Sequence, residues 1–377
     1  MRILFSTTVL PGRRRNGGEL WSQTLVDSLR RNGADVTVLG YGAASAEGEV
    51  SAGPRAVETR AAPFHALGWA VQALGRNAFS VQKWVSSAYR RALALQLARQ
   101  GWDAVLIDHA QMGWIQPLLG GIPLLYLAHH AEARLYARLA GEAGALGRRI
   151  YAREARHIGA MEQALARAAV RSWCISDADA AVLAPHAGTR VQALPPLSAM
   201  ALQDDAAPEG AAEVALLGNW RWQPNHRALS WFLGEVQPRL PRGWRVVIGG
   251  AIDRRRLPEI PGVTFLGPVP DARRFLHDAR RIAVPSLARV GANLKLLDAI
   301  ASGRIVVATR EAGALVGALP ADVIQAPDAE AFARALVDAP APAPHARAAW
   351  LAARQARLDA AVADGLSAVR QQLRERA

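Results

Sequence analysis

The chain is nearly without cysteine and lysine. One cysteine, Cys174, stands among 377 residues, which excludes an internal disulfide and suits a reducing, cytoplasmic compartment. Lysine occurs only at Lys83 and Lys295, so arginine carries nearly all the positive charge. That usage points to a GC-rich bacterial genome. No run of about eighteen uncharged apolar residues exists, so no segment is built to span a membrane as a helix. The opening MRILFSTTVLPGRRR has an apolar patch too short for a signal peptide and lacks a small-residue cleavage site. No helix-turn-helix, zinc-finger or RNP pattern accompanies the charge, which makes nucleic acid the weakest partner class.

What is present is enough apolar sequence for two domains, 51% of residues, with 20% charged and a net charge of +13. Residues 1–195 carry 22 basic and 14 acidic side chains, and the remainder 23 and 18. Such a surface suits anionic lipid headgroups or phosphorylated substrates, or reflects arginine-rich composition alone.

Residues 2–9, RILFSTTV, read as a first strand. A loop with Asn16-Gly17-Gly18 follows, then a helix with Leu20, Thr24, Leu25, Ser28 and Leu29 on one face, stopped by Gly33 before the strand ADVTVLGY. This is the opening βαβ unit of a Rossmann-like domain. Gly17 and Gly18 permit close backbone approach to a ligand, or form a plain flexible loop. The Gly-x-Gly-x-x-Gly spacing of a dinucleotide site is absent. Residues 43–62 read as a loop. The stretch from Pro63 to Gln100 reads as two helices in which Trp69, Leu74, Phe79, Trp84, Val85 and Tyr89 mix with Arg76, Lys83, Arg90 and Arg91. That pattern serves either an anionic membrane surface or a core with a solvated face.

The strand AVLI runs into Asp108-His109, polar groups at the carboxyl end of a parallel strand, where ligands sit. The segment PLLYLAHHAEARLYARLAG reads as a strand repeating that arrangement with His129-His130-Ala131-Glu132. The spacing matches no zinc motif, which leaves a structural His–Glu cluster or a site lining a cleft. Residues 148–171 read as a long surface helix with opposite charges at helical spacing. Ser176 caps the next helix, and the proline-bearing segment around 196–212 is an interdomain linker.

The sequence centres on PSLARVGANLKLLDAIASGRIVVATREAG, from Pro285 to Gly313. It reads as a strand, a glycine-bearing turn, a helix and a second strand. Within the helix Lys295 and Asp298 lie one turn apart, and Leu294, Leu297 and Ala301 face the sheet. A cation at the helix start and a carboxylate one turn later suit a diphosphate and a ribose. An ordinary βαβ unit with a surface ion pair has the same pattern.

This stretch resembles the signature of GT-B retaining glycosyltransferases of the family-4 type. Pro285-Ser286, Asp298-Ala299, Gly303 and Val306-Val307-Ala308-Thr309 match it. The first acidic position of the signature falls on Val290, and Lys295 fits a version that uses lysine instead. The His129 segment is similar to the family's His-Asn-x-Glu, and Ser176 and Asp179 match its Ser-x-x-Asp. Asn219 stands where the family often has arginine, with Arg221 as a substitute phosphate contact. Trp222 and Pro224-Asn225 match one subgroup, as do Gly249-Gly250 and Gly267-x-Val269-x-Asp271 the family more widely.

The resemblance implies an α/β, GT-B fold: two Rossmann-like, doubly wound domains facing across a cleft, at 1–195 and 213–344, joined by linker 196–212, with a C-terminal helix 345–377 returning to the first domain. It implies a metal-independent transferase, with no resident cofactor, that moves a sugar from a nucleotide diphosphate donor (UDP ahead of GDP) to a saccharide or lipid-linked acceptor in bacterial surface polysaccharide or glycolipid synthesis. Donor contacts would come from Lys295, Asp298, Gly291, Asn293, Arg221, Gly249, Gly267 and Val269. Gly17 and Gly18 would form a phosphate and acceptor loop, and His129, Glu132 and Asp108 would be catalytic. A GT-B epimerase, using Asp108 and Glu132 as acids, and a non-catalytic sugar-nucleotide binder are the rival expectations.

Overall fold

The structure is a computed structural model that describes residues 1–13, 17–54, 78–99, 101–198, 200–253, 259–287, 294–314 and 316–376. Expectations placed on Asn16, Trp69, Leu74, Arg76, Val290, Gly291 and Asn293 lie outside the described residues. The chain divides into two compact units, residues 1–195 with 356–377, and residues 196–355.

In chain order the first unit contains β1 (Arg2–Val9), α1 (Gly17–Arg31), β2 (Asp35–Tyr41), β3 (Glu49–Ser51), α2 (Phe79–Gln82), α3 (Ser87–Ala98) and β4 (Ala104–Asp108). A 3-10 helix, Ala110–Leu118, leads to β5 (Leu124–Ala128), α4 (Glu132–Glu142), α5 (Ala145–Ala168), β6 (Arg171–Cys174), α6 (Asp177–Ala187) and β7 (Val191–Ala193). The strands form one parallel sheet in the order β3-β2-β1-β4-β5-β6-β7. Ile3, Leu4 and Phe5 of β1 and Ala104 to Ile107 of β4 have no exposed surface. Burial on both faces is why these strands read as continuous apolar runs. The order reverses where β1 meets β4, Ile3 opposite Ala104, and such a switch point opens a ligand crevice at the carboxyl ends of the strands.

Several local expectations change. Gly17 and Gly18 belong to the first turn of α1 rather than to the loop before it. On α1 the expected Leu25, Ser28 and Leu29 are buried, and Trp21 joins them. Trp21, Leu25 and Leu29, spaced by four, are at most 1% exposed, while Leu20 and Thr24 are half-buried. Each such side chain contributes about 1.5–3 kcal/mol of burial. Within 43–62, Glu49–Ser51 is a strand, not loop. The Glu49 carboxylate accepts the amides of Gly12, Ser45 and Ala46 at 2.7, 2.7 and 3.0 Å and so folds the small-residue segment onto the sheet edge.

In the 63–100 stretch, Trp84 and Tyr89 are core residues packed around Tyr41, with ring centroids 6.0 and 5.2 Å away. The segment expected as one strand from Pro123 leaves the sheet after Ala128 and becomes helical at Glu132. The expected surface helix, α5, sends two of its acids inward. Glu154 accepts the amides of Phe79 and Ser80 at 2.8 and 2.7 Å, and Glu162 accepts those of Glu132 and Ala133 at 2.6 and 3.1 Å. Each carboxylate satisfies helix N-terminal donors that would otherwise be buried without a partner.

The second unit contains β8 (Ala212–Leu217), α7 (Gln223–Trp231), β9 (Val246–Gly249), β10 (Val263–Gly267), α8 (Ala272–His277), β11 (Ala279–Val284) and α9 (Leu294–Ala301), then β12 (Ile305–Thr309), α10 (Arg310–Gly313), β13 (Val323–Ala326) and α11 (Ala329–Asp338). Its parallel sheet runs β10-β9-β8-β11-β12-β13, the doubly wound order with its switch point between β8 and β11. In α9, Leu297 and Ala301 are fully buried with Leu296 and Ile300, whereas Leu294 is half-buried. Residues of the 196–212 segment are fastened to this unit. The Gln203 amide donates to Ala301 O at 2.9 Å, and a Cβ on Gly303 (φ 71°) would stand 1.9 Å from Gln203 O. Only glycine fits there.

The final helix, α12 (Pro344–Arg376), lies in the second unit to Gln355 and in the first from Ala356. In the second unit the fully buried Arg347 pairs with Asp322 at 2.7 Å. In the first, Asp359 accepts from Ser28 Oγ at 2.5 Å and Arg31 at 3.0 Å, and a Cβ on Gly365 would lie 2.4 Å from the Trp173 ring. No helix among the described residues is long and apolar enough to cross a membrane.

Candidate active site

In the first unit a pocket of about 270 Å³ opens at the carboxyl ends of β1, β4 and β5, lined among others by Thr7, Glu19, Lys83, His109, His129 and Glu132. Asp108, the last residue of β4, lies beneath it with no exposed surface. Thr7 and Ser22 hydroxyls donate to its Oδ2 at 2.7 and 2.6 Å, and His129 Nε2 meets Oδ1 at 2.7 Å. Burial opposes ionisation of Asp108. The His109 and His129 imidazoles and the hydrogen bonds from His129 and Ser22 outweigh it, and its pKa lies well below the usual carboxylate range. A carboxylate bonded to Nε2 places a proton on that nitrogen. Nδ1 of His129 is then an acceptor, and it has no hydrogen-bond partner among the described residues.

His109 adds a second imidazole. Its ring stacks on His129 with centroids 3.7 Å apart and planes 25° from parallel, and its Nε2 lies 3.8 Å from Asp108 Oδ2. Among the described residues it is the non-glycine residue with positive φ, 72° with ψ 139°. That region is nearly restricted to glycine and costs about 1–3 kcal/mol. Asp108, His109 and His129 present ligand atoms within 4.8 Å of one another, near enough to share a metal ion. The carboxylate also receives the hydrogen bonds of Thr7, Ser22 and His129.

The loop carrying His129 to Glu132 is clamped from below. Asp179 accepts the Ala131 amide at 3.0 Å and the Ser176 hydroxyl at 2.6 Å, so it does more than sit in the turn that Ser176 caps. Glu162 holds the next two amides, and burial pushes its carboxyl up to about 7. Glu132 lines the pocket and is 8% exposed. The three residues expected to be catalytic therefore cluster, but Asp108 is fully enclosed by Thr7, Ser22 and His129 rather than open to the pocket. Gly18 also lines the pocket. Thr7, Ser22, Lys83 and Glu19 carried no sequence motif that singled them out for this site.

In the second unit, Lys295 sits in the first turn of α9. Its Nζ donates to Asn225 Oδ1 at 2.8 Å and lies 5.6 Å from the Trp220 ring centroid. Asn225 in turn donates from Nδ2 to Asn219 O at 2.9 Å. Burial lowers the Lys295 pKa to about 8. Asp298 accepts from Ser198 Oγ at 2.8 Å, so Lys295 and Asp298 turn to different neighbours rather than forming a simple surface pair. Arg221 is exposed. Gly249 O accepts from the buried Trp220 Nε1 at 2.8 Å, and Gly267 O accepts the Gly250 amide at 2.7 Å. Gly250 is held at φ 111°, where a Cβ would stand 1.8 Å from Gly218 O. Val269 packs its side chain on the core, and Asp271 caps α8 through the amides of Arg273 and Arg274. Pro285-Ser286 and Thr309 are tied together, the Thr309 hydroxyl lying 2.7 Å from Ser286 O and 3.0 Å from its amide.

Residues 211–339 match the family described as Glycosyl transferases group 1. No curated protein sequence matches the chain. Solved structures similar over the whole chain include sucrose-phosphate synthase from Thermosynechococcus elongatus, at 16% identity and TM-score 0.62 with 100% of each chain covered. Anabaena HepE in complex with UDP-glucose is similar at 13% identity and TM-score 0.57, again with 100% of each covered. The glycosyltransferase SnogD from Streptomyces nogalater is similar at 18% identity and TM-score 0.51, covering 98% of this chain and 99% of that one. The chain thus has the GT-B fold of these proteins, two parallel-sheet Rossmann-like units, and its second unit carries the sequence match to group 1 glycosyl transferases.

Proposed function

We propose that the chain is a glycosyltransferase whose second unit binds a nucleoside diphosphate-sugar and whose first unit receives the acceptor. The observation that carries the reading is the Asp108–His129 dyad at the floor of an open pocket, in a chain with this fold and family match. A base oriented by a buried carboxylate is the arrangement needed to take a proton from an acceptor hydroxyl. Lys295, half-buried at a helix N-terminus, suits the diphosphate. HepE is solved with UDP-glucose, which supports a UDP-sugar here. The acceptor would be a saccharide or a lipid-linked sugar, and the setting a bacterial surface polysaccharide or glycolipid assembled at the cytoplasmic face, with peripheral contact to an anionic membrane.

Retention at the anomeric carbon follows from the resemblance to family-4 enzymes. The dyad favours a second reading, inversion, because a free Nδ1 acceptor serves direct attack by the acceptor hydroxyl. NMR of the product anomer decides between them. The epimerase reading loses support from Asp108, whose carboxylate is enclosed by Thr7, Ser22 and His129.

The test is incubation with UDP-, GDP- and ADP-sugars and a panel of saccharide and lipid-linked acceptors, with and without chelator. Transfer that survives chelation supports the reading. Nucleotide binding without any turnover supports the binder instead, and release of free sugar without an acceptor supports the epimerase.

A further inference from the structure

We infer that the α4–α5 hairpin docks the chain on an anionic phospholipid surface. Two observations on this hairpin carry the inference. Three of its large apolar side chains face water: Leu146 is 74% exposed, Ile150 57% and Leu135 42%. Leu146 and Ile150 are four residues apart and share one face of α5. Scattered exposed leucines are ordinary, but Leu146 and Ile150 form a pair on α5, and Leu135 is exposed on α4, the two helices being joined by Ala143 and Gly144 alone.

The second observation is charge. Between Glu132 and Arg156 the sequence has six arginines and three glutamates. Glu132 and Glu154 are buried, and Glu154 is engaged by the amides of α2. The remaining carboxylate, Glu142, is exposed and bonded to Arg138 at 3.0 Å. Arg134, Arg148, Arg149 and Arg156 are all exposed.

Exposed leucine and isoleucine among arginines fit a partner that is apolar inside and polyanionic at its rim. A bilayer with acidic headgroups has that chemistry. The apolar side chains enter the acyl boundary while the arginines remain at headgroup level. Nucleic acid would use the arginines but not the leucines. A second copy of the hairpin would set arginine against arginine. The surface differs from the 63–100 stretch, whose Trp84 and Tyr89 are committed to the core.

The hairpin also begins at the pocket. Glu132 lines it and opens α4, and the 11 residues of that helix span about 16 Å. Docking would therefore hold the pocket within about 16 Å of the headgroups, a reach suited to a lipid-linked acceptor. That last step rests on the transferase reading, whereas docking does not.

The test is flotation of the full chain with vesicles of phosphatidylcholine alone and of phosphatidylcholine with an equal part of phosphatidylglycerol. Capture by the anionic vesicles only, weakened by salt, is expected. Leu146→Gln with Ile150→Gln should reduce it at least about tenfold. Arg148→Ala with Arg149→Ala should reduce it about fivefold per arginine. Thermal melting should be unchanged in both pairs, since all four side chains are exposed.

Absence of capture at low salt overturns the inference, as does capture that the variants leave intact. A dimer abolished by the same variants, without vesicle binding, overturns it in favour of a second copy. Docking without nucleotide binding upholds the surface and counts against the transferase reading alone.

Discussion

The imidazoles of His109 and His129 lie face to face, 3.7 Å between centroids, above the single buried carboxylate of Asp108. His129 takes the short bond to Asp108 and His109 the longer approach at 3.8 Å. This makes His129 the oriented base of the proposed reaction and His109 the ring packed against it.

Removal of that base should slow chemistry without loosening the donor. His129→Ala is expected to lower kcat by about 10²–10⁴-fold, while UDP affinity, measured by calorimetry, stays within twofold or so. Asp108→Asn should cost kcat as well, because an amide no longer selects the Nε2–H tautomer. Loss of UDP binding in parallel with kcat would instead count against placing the donor on the second unit.

Backbone strain at His109 can be separated from its chemistry. His109→Gly removes the cost of φ 72° and should raise stability by about 1–3 kcal/mol, less the stacking it forfeits. Activity should fall, since the ring stacked on His129 is gone. A variant that is more stable and equally active would remove His109 from the site.

Glu162 makes stability fall with rising pH. Its folded pKa is raised from 4.5 to about 7 by burial, so the native state holds a proton that the unfolded chain releases. The native advantage is present below the ordinary carboxyl range and is lost between 4.5 and about 7. The difference is about 3 kcal/mol. Urea midpoints at about pH 5 and pH 8 should show the slope, and Glu162→Gln should flatten it.

Lys295 predicts the pH limit of nucleotide binding. With its pKa pushed down to about 8, the amine is charged at neutral pH and loses its proton at modest alkalinity. Diphosphate affinity should therefore weaken as pH rises through about 8, and the decline should be absent in Lys295→Ala. A constant affinity up to about pH 10, near an ordinary lysine, would contradict the burial argument.

Much of the fold is legible in the sequence because parallel strands buried on both faces leave apolar runs, as in RILFSTTV and IVVAT, and because Gly33 and Gly303 mark where helices stop. The same logic locates Asp108 and His129 at strand ends. The supporting contacts are not legible, because they join residues far apart. Thr7 and Ser22 reach Asp108 across 101 and 86 residues, and Asn225 meets Lys295 across 70. Acidic residues of α5 look solvent-facing by their spacing from arginines. Only the packing of α2 and α4 turns Glu154 and Glu162 into caps. The 63–100 pattern admits two readings for the same reason, since aromatic residues beside arginines mark a core edge as readily as a membrane face, and the described Trp84 and Tyr89 belong to the core.

The central claim is that the second unit binds a nucleoside diphosphate through Lys295. Calorimetric titration of UDP, GDP and ADP into the wild-type chain and Lys295→Ala tests it most directly. The account predicts that one of the three, UDP foremost, binds the wild type and loses about 1.5–3 kcal/mol, or at least roughly tenfold in affinity, in the variant. Binding of none, or binding that the substitution leaves unchanged, would contradict it.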